Sequence, residues 1–328
     1  MATFTVIIPF YQRDAGVLLR ALRSIFAQSF SDYDILVVDD ASPYPGEREL
    51  EELSDEERSR VRLIKQANAG PGGARNTGLD NVPAETRFVA FLDSDDIWLP
   101  THLENAHKSL TRLDGDCYWA SMQADEDFYY HFGMAKLEEE DGARRVLEAP
   151  LVLEVPDLAS VMLKNWSFLH LSCMVIARPI FEKVRFEPLL RLAAEDVLFF
   201  CDCILAARHP LLCDDAGATR GRGINIFHGI DNLSPQFLRQ QFNTWVALDR
   251  LELRFARRPD AIASINAYKN TARRQALWSQ AGLMRRRRVP DLSMLAQWAW
   301  RDPALFRTAF ELGAGKLKPR DSASAAST

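Results

Sequence analysis

The first 125 residues alternate between two hydrophobic periods, and that alternation restricts the fold more than any other feature of the chain. Thr5-Val6-Ile7-Ile8 is a short apolar run stopped by Pro9, the pattern of a strand buried on both faces. Val17, Leu18, Ala21, Leu22, Ile25 and Phe26 then recur at helical spacing, which predicts an amphipathic helix over 14–28. Asp34 to Val38, Val61 to Ile64 and Phe88 to Leu92 read as further strands. Between them lie a charged, helix-favouring stretch over 46–60 and a Gly-rich loop, Asn68 to Gly73, leading into another helix. Strand, helix, strand, helix implies an α/β fold, a parallel sheet with helices on both faces.

Such sheets bind ligands beyond the carboxyl ends of their strands. Here those ends carry Pro9-Phe10-Tyr11-Gln12-Arg13, Asp39-Asp40, the Gly-rich loop, and Asp93-Ser94-Asp95-Asp96. Three carboxylates within four residues repel one another unless a hard divalent cation joins them. A cation there can also bridge nucleotide phosphates and neutralise a leaving diphosphate. The alternative is a solvated turn that caps a helix starting near Pro100, with Asp96 or Thr101 as cap. Asp39-Asp40 can accept hydrogen bonds from a nucleobase or ribose, or serve only as turn residues. The Gly-rich loop lets backbone approach a ligand closely, and Arg75 beyond it can pair with phosphate. It lacks the Lys-[Ser/Thr] ending of a P-loop. No glycine pattern follows the first strand, so a dinucleotide-binding unit is excluded too.

The middle, about 117–230, is more mixed. Residues 128–149 read as a hairpin or excursion around Asp141-Gly142, 157–165 as a short helix and Leu171 to Ala177 as a strand. Glu195 to Arg208 is a helical pattern that opens with two acids. From Pro235 the chain is nearly all helix, broken at Pro259, Pro290 and Pro303, and the Ser/Ala-rich tail after Lys316 is expected to be disordered. Five cysteines without C-x-x-C spacing read as small buried hydrophobes, not zinc ligands.

A net charge of −5 offers no electrostatic case for nucleic acid. Residues 251–290 nevertheless hold ten Arg or Lys against Glu252 and Asp260. That bias marks either a solvated helix face or a surface that meets phosphate headgroups. Trp245, Trp278, Trp298, Trp300 and Phe310 are accordingly packing residues or peripheral membrane contacts; Trp298 and Trp300, two apart, cannot share a helical face. No apolar run approaches the roughly 18 to 20 residues of a membrane span, and the N-terminus lacks a basic leader, so a cytoplasmic protein is expected.

In order and spacing, IIPFYQR, VVDDAS, NAGPGGARNTGL and FLDSDDIWLP resemble the family 2 glycosyltransferases, closely over 4–115 and loosely to about 230. The resemblance implies a GT-A fold, that is, a Rossmann-like mixed sheet flanked by helices, here with a helical C-terminal extension. It implies a nucleotide-sugar donor and inversion at the anomeric carbon. The opening looks most like glucosyltransferases of succinoglycan-type exopolysaccharide synthesis. The implied division is a GT-A domain over 1–230 (1–115 binding nucleotide sugar, 116–230 acceptor), a helical region over 231–316 and a tail over 317–328.

The same resemblance places Pro9, Tyr11 and Asp40 around the uracil and ribose, and Arg75 near the base or diphosphate. Asp93 falls at the nucleotide-sugar end of the D-x-D motif and Asp95 at its metal-binding end. Gln12-Arg13 departs from the Asn that many relatives carry after the Tyr. Glu195-Asp196 matches the family's second acidic pair, which makes Asp196 the general base. One-step inversion needs a carboxylate opposite the leaving group to take the acceptor's proton. The alternative is a pair of first-turn acids favoured by the helix dipole. His228 stands where relatives place a His that ligates the metal or touches the diphosphate, with Arg220 and Arg222 able to close over phosphates; a plain surface loop remains the other reading.

The expectation is therefore an inverting hexosyltransferase that uses a divalent metal, Mg or Mn. UDP-glucose is the expected donor and a glycan or lipid-linked oligosaccharide at the inner membrane face the expected acceptor. A nucleotidyltransferase would place a basic Gly-rich loop directly after the first strand, and none stands there. A non-catalytic glycan-binding module would not need both Asp95 and Asp196.

Overall fold

The computed structural model describes residues 2–123, 133–166, 169–191, 193–221 and 230–313. Two compact units divide the chain, one comprising Met1–Arg191 with Glu195–Asn225, the other Leu192–Ala194 with Ile226–Thr328.

The first unit is built on one sheet of strands β1 (Phe4–Phe10), β2 (Tyr33–Asp39), β3 (Val61–Lys65), β4 (Phe88–Phe91), β5 (Ile97–Trp98), β6 (Cys117–Gln123), β7 (Arg144–Glu148), β8 (Leu151–Glu154), β9 (Met174–Ala177) and β10 (Pro210–Thr219). Their order is β3-β2-β1-β4-β9-β6-β10-β8-β7, with β5 added against β10. Strands β1 to β4 pair in parallel, whereas β9 runs antiparallel to both β4 and β6. The sheet is thus mixed and helix-flanked, as the motifs imply. The Val17–Phe26 helix buries Val17, Leu18, Ala21, Leu22 and Ile25. The Gly70–Asp80 helix lies against β1 because Gly78 has no side chain: a Cβ there would come within 2.5 Å of Ile7 Cγ2.

One local expectation is borne out in more detail and two are corrected. The charged stretch over 46–60 is two helices, Gly46–Leu50 and Asp55–Ser59, because Ser54 and Glu57 form a capping box that starts the second. Met134–Glu140 is a helix with Met134 and Leu137 buried three residues apart; Asp141-Gly142 only ends it, and the hairpin is β7–β8. Residues 124–132 lie outside the described residues. Of the expected Leu171–Ala177 strand, only β9 pairs in the sheet, since Leu171–Cys173 is a 3₁₀ turn whose Ser172 N–H donates to His170 Nδ1. All five cysteines are buried and none is in a disulfide.

Strand β10 shifts register between Cys213 and Ala218, which lets its end pair with both β6 and β5. Gly217 makes this possible, because a Cβ there would lie 2.3 Å from His102 Nδ1. The second unit contains the helices Pro235–Arg254, Pro259–Arg285, Leu292–Arg301 and Ala304–Gly313. Trp245 and Trp298 are buried with ring centroids 6.0 Å apart, while Trp300 points to solvent. Two of the basic residues serve this unit internally: Lys269 bonds Asp249 and Glu252 at 2.7 and 2.6 Å, and Arg273 grips both oxygens of Asp302. Among the described residues no helix is long and apolar enough to cross a membrane.

Candidate active site

The parallel strands β1, β2 and β4 deliver their carboxyl ends to one rim, and Gln12 ties three of the resulting loops together. Its N–H donates to Ser42 Oγ at 2.8 Å, its carbonyl accepts from Tyr44 N–H at 2.9 Å, and its side chain donates to Ser94 Oγ at 3.2 Å. The Gln that departs from the family pattern is therefore a buried brace. Tyr11 beside it is partly exposed, and Pro9 sits half-buried within β1. Asp39 closes its own turn by accepting from the N–H groups of Ser42 and Gly46.

Asp40 is buried, and its carboxylate holds the Gly-rich loop. One oxygen accepts from Gln66 Nε2 and Ala69 N–H, both at 2.7 Å; the other accepts from Gly70 N–H at 2.9 Å. A carboxylate has about four acceptor positions, so one is left for a ligand. Gly70 takes a positive φ of 77°, which suits glycine at the point where the chain turns into the helix.

That helix buries Arg75 between two acidic groups. Its Nη2 donates to Asp93 Oδ1 at 2.6 Å and its Nη1 lies 3.5 Å from Glu195 Oε1. Arg75 and Glu195 side chains are each 5% exposed, so this is an interior ion network. Burial raises the Asp93 pKa, but the charge and hydrogen bond of Arg75, helped by His170, outweigh it and hold the group below the ordinary value. Glu195 goes the other way: burial and the adjacent Asp196 push it up to about 7 despite Arg75. Asp196 is raised as well, chiefly by burial, with Val197 N–H, Arg75 and His170 partly opposing. A carboxylate with a raised pKa is a better proton acceptor near neutrality.

The D-x-D loop is fastened from the far side of the sheet. Strand β9 begins beside the end of β4, so the turn before it places His170 and Ser172 against the acids. Ser172 Oγ accepts from Asp93 N–H and donates to Asp96 Oδ2 at 2.5 Å, while Gly221 N–H donates to Asp96 Oδ1. His170 Nδ1 lies 3.8 Å from Asp96 Oδ2. Asp93, Asp96 and His170 each offer one ligand atom, all within 4.8 Å of one another. Two carboxylates and an imidazole suit Mn or Mg, with Mn the better match to the nitrogen. Asp95 stands half-buried beside them, and burial with the charges of Asp96 and Asp93 pushes it up to about 7, Arg220 opposing. This surplus of negative charge is what a cation would relieve, so the residues present fit a divalent metal.

The structure thus joins Arg75, Asp93, Glu195 and Asp196 in one network, with Asp95 beside it, and keeps Asp40 and Tyr11 on the same rim. His228 and Arg222 lie outside the described residues. Ser172 and Gly221 carry no signal in the sequence, and the expectation that His170, like His102, His107, His131 and His209, has no role is corrected by its place beside Asp93 and Asp96. No spacing rule relates His170 to Asp96, and only the antiparallel insertion of β9 next to β4 brings them together.

The site and fold define a glycosyltransferase: residues 5–185 match the profile described as Glycosyl transferase family 2, and the chain belongs to that family. Its GT-A architecture is shared with solved structures. The chain overlays Staphylococcus aureus TarS 1-349 in complex with UDP-GlcNAc with a TM-score of 0.61 at 18% identity, covering 97% of this chain and 93% of that one. For the Pyrobaculum calidifontis mannosyltransferase PcManGT, with GDP-Man and Mn2+, the TM-score is 0.55 at 16% identity, covering 96% and 88%. Among curated proteins, the succinoglycan biosynthesis protein ExoW of Rhizobium meliloti (strain 1021) is 63% identical over 317 residues, 97% of this chain and 99% of that protein. A shorter match, 38% over 101 residues, 30% of this chain and 38% of the other, joins it to the Escherichia coli UDP-Glc:alpha-D-GlcNAc-diphosphoundecaprenol beta-1,3-glucosyltransferase WfgD.

Proposed function

We propose that the chain is an inverting, metal-dependent hexosyltransferase of exopolysaccharide synthesis that moves glucose from UDP-glucose to a lipid-linked glycan at the inner face of the membrane. The observation that carries this reading is the Arg75 bridge, which joins the D-x-D acids to the Glu195-Asp196 pair in one site. The 63% identity to a succinoglycan biosynthesis protein supports the exopolysaccharide assignment. The UDP-Glc and diphosphoundecaprenol in the name of the E. coli relative support the donor and the acceptor class.

In this reading Asp196 takes the proton of the acceptor hydroxyl as its oxygen attacks the anomeric carbon, and the carbon–diphosphate bond breaks on the opposite face. Glu195 and Arg75 position Asp196 without touching substrate. Asp93 orients the donor's sugar end, kept ionised by Arg75. Asp40 and Tyr11 hold the uridine, with Pro9 shaping the strand end beneath it. Asp93, Asp96 and His170, with Asp95 adjacent, would hold a divalent cation, which supplies charge neutralisation for the departing UDP. In this reading the 1–230 region carries the chemistry, with 1–115 binding the nucleotide sugar and 116–230 the acceptor.

The test is a nucleoside-diphosphate-release screen over UDP-, GDP- and dTDP-sugars, with and without bacterial membrane lipid extract. Turnover is expected with UDP-glucose, stimulated by the lipid fraction and by Mn or Mg. Turnover that is highest with a GDP- or dTDP-sugar would overturn the donor assignment; Asp196→Asn with full turnover would overturn the base.

A further inference from the structure

The second unit presents a feature that its own packing does not use. From Met284 to Val289 six consecutive residues are exposed, Met-Arg-Arg-Arg-Arg-Val, followed after Pro290-Asp291 by exposed Leu292. Arg285 rests over the Trp278 ring, but among the described residues none of Arg285 to Arg288 pairs with a carboxylate. Arg285 and Arg286 line a cavity of about 620 Å³ whose apolar walls are Ile230 and Leu233. Among the described lining residues the one acid, Asp231, accepts from Leu233 N–H of its own turn. Val289 is 87% exposed, an uncommon setting for an aliphatic side chain beside four cations. Nearby in sequence, Phe306 and Phe310 are four apart on one helix and share a face, both exposed, and Trp300 is 90% exposed.

We propose that Met284–Leu292 is a docking stretch for an anionic bilayer, in which the arginines meet lipid headgroup phosphates while Met284, Val289 and Leu292 enter the interface. This rests on the lipid-linked acceptor reading for its purpose, though not for its chemistry. Cations interleaved with exposed apolar side chains match a surface that is both anionic and greasy. Trp300, Phe306 and Phe310 supply the aromatic side chains that settle at headgroup level. A second copy of the chain fits poorly, since a two-fold interface would set the arginine run against itself. Nucleic acid fits poorly too, because Val289 and Leu292 have nothing to do on a phosphate backbone.

Flotation of the full chain with vesicles tests this. Vesicles of phosphatidylcholine alone are compared with equal parts phosphatidylcholine and phosphatidylglycerol, at low and high salt. The wild type is expected to float only with the anionic vesicles and to release in high salt. One arginine near such a surface is worth roughly fivefold in partitioning, so Arg286→Gln/Arg287→Gln/Arg288→Gln should weaken binding on the order of a hundredfold. Trp300→Ser/Phe306→Ser/Phe310→Ser should weaken it while leaving salt sensitivity in place. UDP release with a soluble acceptor should be unchanged in the arginine variant, so a failed donor assignment and a failed docking surface give different results. Equal flotation with both vesicle types, full binding by the arginine variant, or a wild type that self-associates through this stretch would overturn the proposal.

Discussion

Replacing Arg75 by methionine removes the cation of an interior ion network and leaves its partners in place. Breaking a buried pair from one side costs about 3–5 kcal/mol, because a charge stays behind without compensation. Two features of this site place the cost toward the lower end. Glu195, already at about 7, can take up a proton near neutrality for little free energy. Asp93 keeps 27% of its side chain exposed, so water shares the burden. A loss of about 3 kcal/mol near pH 7.5 is the expectation. Its sign with pH follows from Asp93. In the wild type its pKa is lowered, so it stabilises the fold above the ordinary carboxylate range and this is lost on acidification. In the variant only His170 still opposes burial, so the pKa rises and a penalty grows as the pH climbs. Both effects make the gap largest near pH 7.5 and smallest near pH 4.5. Amide exchange of β1 and β4 reads the first unit directly, and urea unfolding gives the total. Adding Asp93→Asn to the variant should recover most of the loss. A deficit below about 1 kcal/mol at pH 7.5, equal deficits at both pH values, or no recovery in the double variant would refute the reasoning.

Other outcomes can be checked separately. Asp196→Asn should lower UDP release by about 10²–10⁴-fold while UDP-sugar affinity, read by calorimetry, stays within about twofold. His170→Ala should weaken Mn binding, read by electron paramagnetic resonance, on the order of tenfold or more, with the melting temperature little changed. Gly221→Ala should abolish that binding as well, since its Cβ would sit 1.3 Å from the Asp95 carbonyl oxygen and force the Asp96 partner away. Glu195 has a pKa raised above its unfolded value, so its contribution to stability is complete below about pH 4.5 and is lost as the pH rises through about 7. Glu195→Gln should therefore show a flatter melting temperature between pH 5 and pH 8 than the wild type.

Much of this was legible because β1 to β4 form a parallel sheet from local, strongly periodic segments, and parallel order alone sends Gln12, Asp40 and Asp93 to one rim. Asp196 was legible as an acid opening a helix. What escaped notice depends on partners distant in the chain. His170 comes within 3.8 Å of Asp96 across 73 intervening positions because β9 is inserted antiparallel between β4 and β6. Ser172 looks like any strand serine until it is seen bonding both Asp93 and Asp96. The helix Met134–Glu140 was hidden by Asp141-Gly142, a pair that signals a hairpin turn as readily as a helix end. Trp298 and Trp300 were rightly separated by helical geometry, one buried and one exposed.

Arg75 shows how charge is divided in this site. Read from its sequence position, it is a phosphate ligand; at 4% exposure and bonded to Asp93, it is turned inward instead. Its charge is already spent on Asp93 and Glu195, so it offers an incoming diphosphate little attraction. Asp95, Asp96 and Asp196 are all acidic and all have raised pKa values. Arg220 is the cation acting on Asp95 from the strand β10 side. A rim so charged repels a sugar nucleotide, whose diphosphate is itself anionic, unless positive charge arrives with it. Nucleotide-sugar affinity in this protein should accordingly be coupled to divalent cation, each binding better in the presence of the other. A network that kept Arg75 free for phosphate would not need that coupling; the buried bridge to Asp93 and Glu195 does.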